Sequence, residues 1–324
     1  MLHGSPMADD AAPDEIRAGF CAIVGLPNVG KSTLLNRVLD RHLVAVSSKP
    51  QTTRDRILGV HRLALPDGER AEIAYIDTPG VQDGQGPLRR YMQNAAHAAA
   101  EEADVVLLIV DATDRRGRTP ERHGQADASA LRDTSRGKPV VIALNKIDKI
   151  AKPELLPIME LWGDFAPGVE VVPISAQLGD NVDALERAIA QRLPRGPAMF
   201  PADMVTDRSP QFIAQEIIRE QLYHQLGKEL PYASAVLVEE WTERKGELVI
   251  GAVIIVERDS QKPIVVGKGG NRIRELGIAG RAALAETFGK PVHLTLFVKV
   301  QEEWSRTEQE LAKLGYVPNV GDRK

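Results

Sequence analysis

The stretch that decides the fold is GLPNVGKSTLLN, residues 25–36, which follows the apolar run FCAIV at residues 20–24. A turn from strand to helix needs one glycine. This one has two, Gly25 and Gly30, with Lys31 and Ser32 directly after the second. Gly-x4-Gly-Lys-Ser is the spacing of a P-loop, whose backbone N–H groups turn inward to cradle phosphate oxygens at a helix N-terminus. Lys31 is expected to reach the β- and γ-phosphates of a nucleotide, and the Ser32 hydroxyl to bind Mg²⁺. Asn28, Val29 and Thr33 complete the predicted nucleotide contact. A glycine-rich turn of an ordinary α/β protein is the competing reading. The strand before the loop and the helical KSTLLNRVLD after it leave that reading little room.

Working outward, 324 residues allow two domains on the prior of roughly 150 each. A hydrophobic content of 43% with 27% charged residues belongs to ordinary globular proteins. The longest apolar run, VVLLIV at 105–110, is too short to cross a bilayer, which excludes an integral membrane protein of the helical kind. A formal net charge of −4 argues against a general polyanion binder, so any nucleic-acid surface must be local. The single cysteine, Cys21, cannot form an internal disulfide and suits a reducing cytoplasm. Its place in the first strand marks it as a small core residue. No secretory signal is visible, and the polar residues 1–17 are expected to be a disordered N-terminal segment.

From residue 18 to 192, short β-branched runs alternate with helical patterns. FCAIVG, ILGVHRLAL, AEIAYID, VVLLIVD, PVVIALN and VEVVPIS read as strands; helices are predicted between them, including one at 121–134. Near-continuous apolar strands separated by helices predict an α/β domain with a mostly parallel sheet and helices on both faces. Ligands of such sheets bind beyond the carboxyl ends of the strands. Residues 193–209, with prolines at 194, 197 and 201, read as a linker. Residues 210–324 change order to helix, two strands, helices, a strand and a last amphipathic helix at 302–315, which predicts a smaller α+β domain.

Every chemical motif of the first domain falls at a strand end. DTPG ends the third strand, so Asp77 is placed to hold Mg²⁺ through a water and Gly80 to sense a γ-phosphate through its N–H. NKID follows PVVIALN. The Asp148 carboxylate can accept two hydrogen bonds from a guanine edge, a pair that adenine cannot donate. Asn145 is expected at the base edge and Lys146 over the ring. SAQ ends the sixth strand, with Ser175 and the Ala176 N–H facing the guanine oxygen. Each motif alone is a common turn; in this order they specify GTP. SSKPQTTRDR, between the first helix and second strand, is the expected first switch, with Thr53 rather than Thr52 as the residue that closes over Mg²⁺. Lys31, Thr53, Gly80 and Asn28 are the predicted catalytic group. A Ras-like enzyme has a water-orienting glutamine after the switch glycine. This chain has Val81 there, with Gln82 one place late.

In the second domain, Gly267-Lys268-Gly269-Gly270 lies between two helical segments. A GXXG loop lets a nucleic-acid backbone approach closely because no Cβ intrudes. From 258 to 290 there are seven Lys or Arg and three acids, a local +4 in a net-negative chain. Arg272 and Arg274 follow the loop and join Gly267, Lys268, Gly269 and Gly270 as the candidate RNA-binding set.

With both halves read, residues 18–318 resemble the bacterial Era GTPases. GLPNVGKSTLLN, PQTTRDRILG, DTPGV, NKID, SAQ, ELPY at 229–232, the GXXG loop and PVHLTLFVKV occur in that family's order. The resemblance implies a translation-factor-like GTPase domain joined to a type II KH domain. It also implies 16S rRNA near its 3′ end and the small ribosomal subunit as partners, besides GTP and GDP. A monomer is expected, and the family's peripheral association with the inner membrane has no anchor in this sequence. The family loop carries lysine third; here Lys268 is second. Asn28 matches an asparagine that helps related GTPases bind K⁺, and the alternative is that it only stabilises the loop turn. Two other functions are weighed: a non-hydrolytic RNA-binding assembly chaperone, which Val81 keeps open, and a membrane-surface signalling GTPase, against which the GXXG loop argues.

Overall fold

The structure is a computed structural model that describes residues 15–47, 49, 52–79, 86–114, 137–227, 230, 231 and 233–316. The predicted helix at 121–134 lies outside the described residues, as do Gly80, Val81 and Gln82.

The first unit is a seven-stranded sheet. β1 (Ile16–Val24) lies at its centre, flanked by β3 (Arg70–Asp77) and β4 (Val105–Asp111). β2 (Ile57–Ala64) lies outside β3, while β5 (Val140–Asn145) and β6 (Glu170–Pro173) extend the other side. Pairings are parallel except β2 with β3 and the short β7 (Arg195–Gly196) with β1. Helices α1 (Lys31–Leu39), α2 (Pro87–Glu102), α3 (Lys152–Phe165) and α4 (Val182–Ala190) cover it. Two apolar layers result: Ile23, Leu34, Ile73 and Leu107 in one, and Ala22, Val106, Ile142 and Trp162 in the other. Burial on both faces explains why these strands are apolar throughout rather than alternating. Cys21 is fully buried in the first layer and burial raises its thiol pKa strongly, so it is a core residue and no nucleophile.

β1 begins at Ile16, inside the segment expected to be disordered. Ile16 and Arg17 are held because β7 pairs with them and Arg17 Nε donates to Glu69 at 3.0 Å. The 193–209 stretch, read as a linker, runs as a strap along the sheet edge. Arg62 of β2 donates to the carbonyls of Phe200, Pro201, Ala202 and Met204. Glu72, fully buried opposite it on β3, accepts from Met199 N at 2.6 Å and lies 2.7 Å from Arg62. Truncating Glu72 would orphan these donors, at a cost of about 1–3 kcal/mol.

The second unit opens with α5 (Pro210–Gln225), capped by Ser209, and an antiparallel pair, β8 (Ser234–Arg244) and β9 (Glu247–Val256). Then come α6 (Lys262–Val266), α7 (Asn271–Phe288) and β10 (Val292–Val300), which runs parallel to β9. The order α-β-β-α-α-β, with β9 central, gives β9 its unbroken apolar run. Ile250, Ala252 and Ile254 pack under α5 and α7, while Val253 and Ile255 meet Trp304, Leu311 and Leu88 on the other face. The last helix is shorter than its amphipathic period predicts: only α8 (Glu308–Lys313), capped by the Thr307 side chain, is helical. Trp304 explains the difference. Its fully buried ring closes the open face of the sheet and its Nε1 donates to Ala233 O at 3.2 Å, so the chain before α8 turns inward. Among the described residues, no helix is long and apolar enough to cross a membrane.

Candidate nucleotide site and nucleic-acid groove

Parallel register brings the motifs to one edge. Ile23 sits opposite Asp77 and Asp111 opposite Asn145, so the loops after β1, β3, β4, β5 and β6 open on the same side. The P-loop turns through positive φ at Gly25 (146°), Asn28 (65°) and Gly30 (104°). Side chains would not fit at the two glycines: a Cβ on Gly25 would lie 2.4 Å from Ile109 O, and one on Gly30 2.2 Å from Asn145 Nδ2. The loop lines a cavity of about 360 Å³ together with Lys31, Ser32, Thr33, Val46, Thr53, Lys146, Lys149 and Gln177. Buried Lys31 curls back to donate to Gly25 O (2.9 Å) and Leu26 O (3.0 Å).

Three predicted metal-binding residues meet at a point. Ser32 Oγ donates to Asp77 Oδ2 at 2.8 Å; Thr53 Oγ1 lies 2.7 Å from Ser32 Oγ and 3.4 Å from the same carboxylate oxygen. Thr52 turns away, to Ser47 Oγ (2.7 Å) and Lys49 O (2.8 Å). Asp77 is fully buried and its Oδ1 has no hydrogen-bond partner. A buried carboxylate with an orphaned oxygen beside two hydroxyls suits a hard, oxygen-seeking cation such as Mg²⁺. Among the described residues, no cluster of His, Cys, Asp and Glu offers a rival metal centre. Burial pushes the Asp77 pKa up to about 6, against the Lys31 charge and the hydrogen bonds from Ser32, Thr53 and the Thr78 backbone. A proton therefore competes with the metal in acid. Mg²⁺ affinity of the nucleotide complex should be flat above pH 7 and fall about tenfold by pH 5. Calorimetric titration across that range checks it, and a flat profile would remove Asp77 from the metal site.

The base-recognition loops differ in part from expectation. Asp148 is exposed, and one of its oxygens accepts from Ser175 Oγ at 2.7 Å. Asn145 is not open to a base edge. It is buried, its Nδ2 donates to Val29 O (2.7 Å) and its Oδ1 accepts from Ala176 N (2.9 Å), so it ties the P-loop to the SAQ loop. The Ala176 N–H is thereby engaged, and a guanine oxygen would have to share it. Lys146 donates to Asn28 O (2.7 Å) and Asp111 (2.6 Å), which braces the P-loop from the other side. Asp111 was missed in the sequence, although it ends VVLLIVD as Asp77 ends its own strand.

In the second unit, Lys268–Gly270 forms a single tight turn between α6 and α7. A groove between α7 and β10 is lined by Ile273, Arg274, Gly277, Ile278, Arg281, His293, Leu294, Thr295 and Leu296, the first of them three residues after the turn. Arg274 lines this groove. Arg272 is occupied differently: it donates to Ile264 O at 2.7 Å and its Cβ backs onto Gly267, so it shapes the turn. The groove's apolar wall was missed; it is marked by Ile278, a large apolar side chain left 52% exposed.

Fold and site define a P-loop GTPase carrying a KH domain. The chain matches the family described as 50S ribosome-binding GTPase over residues 20–146, and the KH domain family over 229–305. GTPase Era of Pseudomonas aeruginosa is 44% identical over 95% of this chain and 97% of its own length. GTPase Era of Geobacter metallireducens is 42% identical over 93% and 98%. A variant of Era from Aquifex aeolicus, solved with GDP and AlF4⁻, superposes with a TM-score of 0.85 at 38% identity over 93% of this chain and all of its own. Era solved with MgGDPNP and nucleotides 1506–1542 of 16S ribosomal RNA gives 0.84 at 38% identity, over 93% and 99%. The chain belongs to the Era family of GTPases, and it hydrolyses GTP to GDP and phosphate.

Proposed function

We propose that this GTPase binds single-stranded RNA near the 3′ end of 16S rRNA and acts in assembly of the small ribosomal subunit, its nucleotide state setting its grip on RNA. The observation that carries this is the Gly267–Gly270 turn directly before α7, whose first turns line the α7–β10 groove, on the same chain as a guanine-nucleotide site. The solved Era that holds a 16S segment supports that choice of RNA over the large-subunit association in the first family's description. Residues 18–192 are the nucleotide unit, 193–209 join the two, and 210–324 are the RNA unit.

Ser32, Thr53 and Asp77 would hold Mg²⁺, which neutralises charge on the β- and γ-phosphates. Lys31 leaves its two carbonyls for the phosphates, the Gly30–Thr33 amides cradle them, and Asp148 reads guanine, with Ser175 and Ala176 shaping that pocket. Gly80 would report the γ-phosphate. Bases of the RNA lie along Ile278 and Leu296, and the Gly269–Gly270 backbone meets the sugar-phosphate chain, with Arg274 and Lys268 supplying positive charge.

Asn28 sits at positive φ in the P-loop and is exposed beside the phosphate cavity. A K⁺ ion held there would stabilise developing charge, the part an arginine finger or water-orienting glutamine plays elsewhere. Turnover in potassium buffer is then expected to exceed that in sodium buffer about tenfold or more, and equal turnover would remove the ion from the account. RNA partnership itself is tested by cross-linking in cells and sequencing the bound RNA. Recovery of the 16S 3′ region is expected; recovery of 23S sequence alone would overturn the assignment.

A further inference from the structure

The first switch and the residues leading into it are fastened to the second domain by several side chains. His42 Nε2 lies 2.6 Å from Glu220 of α5. Lys49 donates to the carbonyls of Tyr223 and Leu226 at the C-terminal end of α5, where helix carbonyls favour a cation. Arg54 goes deepest and is only 3% exposed. Its guanidinium donates to Ser234 O (2.8 Å), Pro231 O (2.9 Å) and Tyr223 Oη (3.4 Å), and stands 5.6 Å from the Trp304 ring centroid. These groups come from α5, the turn before β8, the first residue of β8 and the C-terminal segment, so each of them belongs to the second domain.

Arg54 directly follows Thr53. One residue reaches Ser32 and Asp77 while the next is sunk in the other domain, so neither can be displaced far without disturbing its neighbour. The socket also holds a second buried guanidinium, Arg219, paired with Glu216 and lying 5.5 Å from the Tyr223 ring that Arg54 also addresses. Proximity to a like charge weakens the seat of Arg54. Such a seat is firm enough to order a switch and weak enough to be vacated.

We propose that Arg54 is a positioning residue that makes the second domain part of the GTPase switch. Seated in its socket it holds Thr53 over the metal set; when Thr53 lets go after hydrolysis, Arg54 withdraws and the second domain loses its present docking. The proposal rests on the GTP-switch reading above and adds the link that carries the signal.

The test uses the full chain with spin labels at Asp164→Cys and Ala282→Cys, both exposed positions, one in each domain. Cys21, the chain's one native cysteine, is buried and does not compete for label. The otherwise unsubstituted chain should show different interdomain distances with GDP and with Mg²⁺ and a non-hydrolysable GTP analogue. Arg54→Ala should show one distribution in both states, with kcat lowered about tenfold and KM little changed, as expected for lost positioning of Thr53. Arg54→Lys, which keeps the charge without the two-pronged geometry, should restore part of the distance change. A role in stability alone would lower the melting temperature and leave the nucleotide-dependent shift intact, which would overturn the proposal, as would no shift in the unsubstituted chain. A shift that survives there while RNA affinity is equal in both nucleotide states would support the latch and remove only the RNA half of the proposed function.

Discussion

Asp148→Asn should exchange guanine for xanthine as the preferred base. The carboxylate accepts twice from guanine, from N1–H and from the exocyclic amine, whereas the amide accepts once and donates once. One guanine donor is then left facing a donor, at a cost of about 1–3 kcal/mol or more. Xanthine, with a carbonyl in place of the amine, matches the amide and gains what guanine loses. The control lies in Ser175: its hydroxyl donates to Asp148 Oδ1 and can donate equally to the Asn carbonyl, so the loop keeps its shape. Competition between GTP and XTP reads the result. An unchanged preference for GTP would show that Asp148 does not read the base.

The double variant Gly269→Asp, Gly270→Asp should lose RNA affinity by on the order of a hundredfold while GTP affinity stays within about twofold. Both glycines are left-handed (φ 61° and 78°), and a Cβ built on either meets no heavy atom within 4 Å. Aspartate tolerates that conformation better than most residues, so the turn can keep its shape at a modest backbone cost. Open space in front of the turn is where an RNA backbone would come, and two carboxylates there repel it. Gly267 would be the wrong position to test. A Cβ there would sit 2.7 Å from Arg272 Cβ, and its replacement would break the turn before RNA was consulted. Unchanged RNA binding in the double variant would refute the role of the loop.

The nucleotide site was legible because its motifs are short, local and tied to strand ends that apolar runs announce. Thr53 could be chosen over Thr52 on its place before Arg54, and the structure brings Thr53 to Asp77. What escaped depends on distant parts of the chain. Asn145 reads as a base contact until the loops of β1 and β6 are seen to converge on its amide. Proline-rich 193–209 reads as a linker, and nothing local shows how it is held, because the carbonyl-collecting Arg62 stands about 140 residues earlier. An amphipathic period over 302–315 cannot reveal that Trp304 is needed to close a sheet. Arg54 is the clearest case: an arginine in a polar loop, buried by residues roughly 180 positions away.

The proposed function requires that the guanine-nucleotide site and the RNA groove of this chain be coupled. Linkage requires that if the GTP form favours RNA, RNA favours GTP over GDP by the same factor. The most direct measurement is titration of an RNA bearing the 16S 3′-end sequence into the full chain, first with GDP and then with Mg²⁺ and a non-hydrolysable GTP analogue. Tighter binding is expected with the analogue, and a matching gain in analogue affinity when RNA is present. Equal RNA affinity in the two states, or no binding in either, would contradict it.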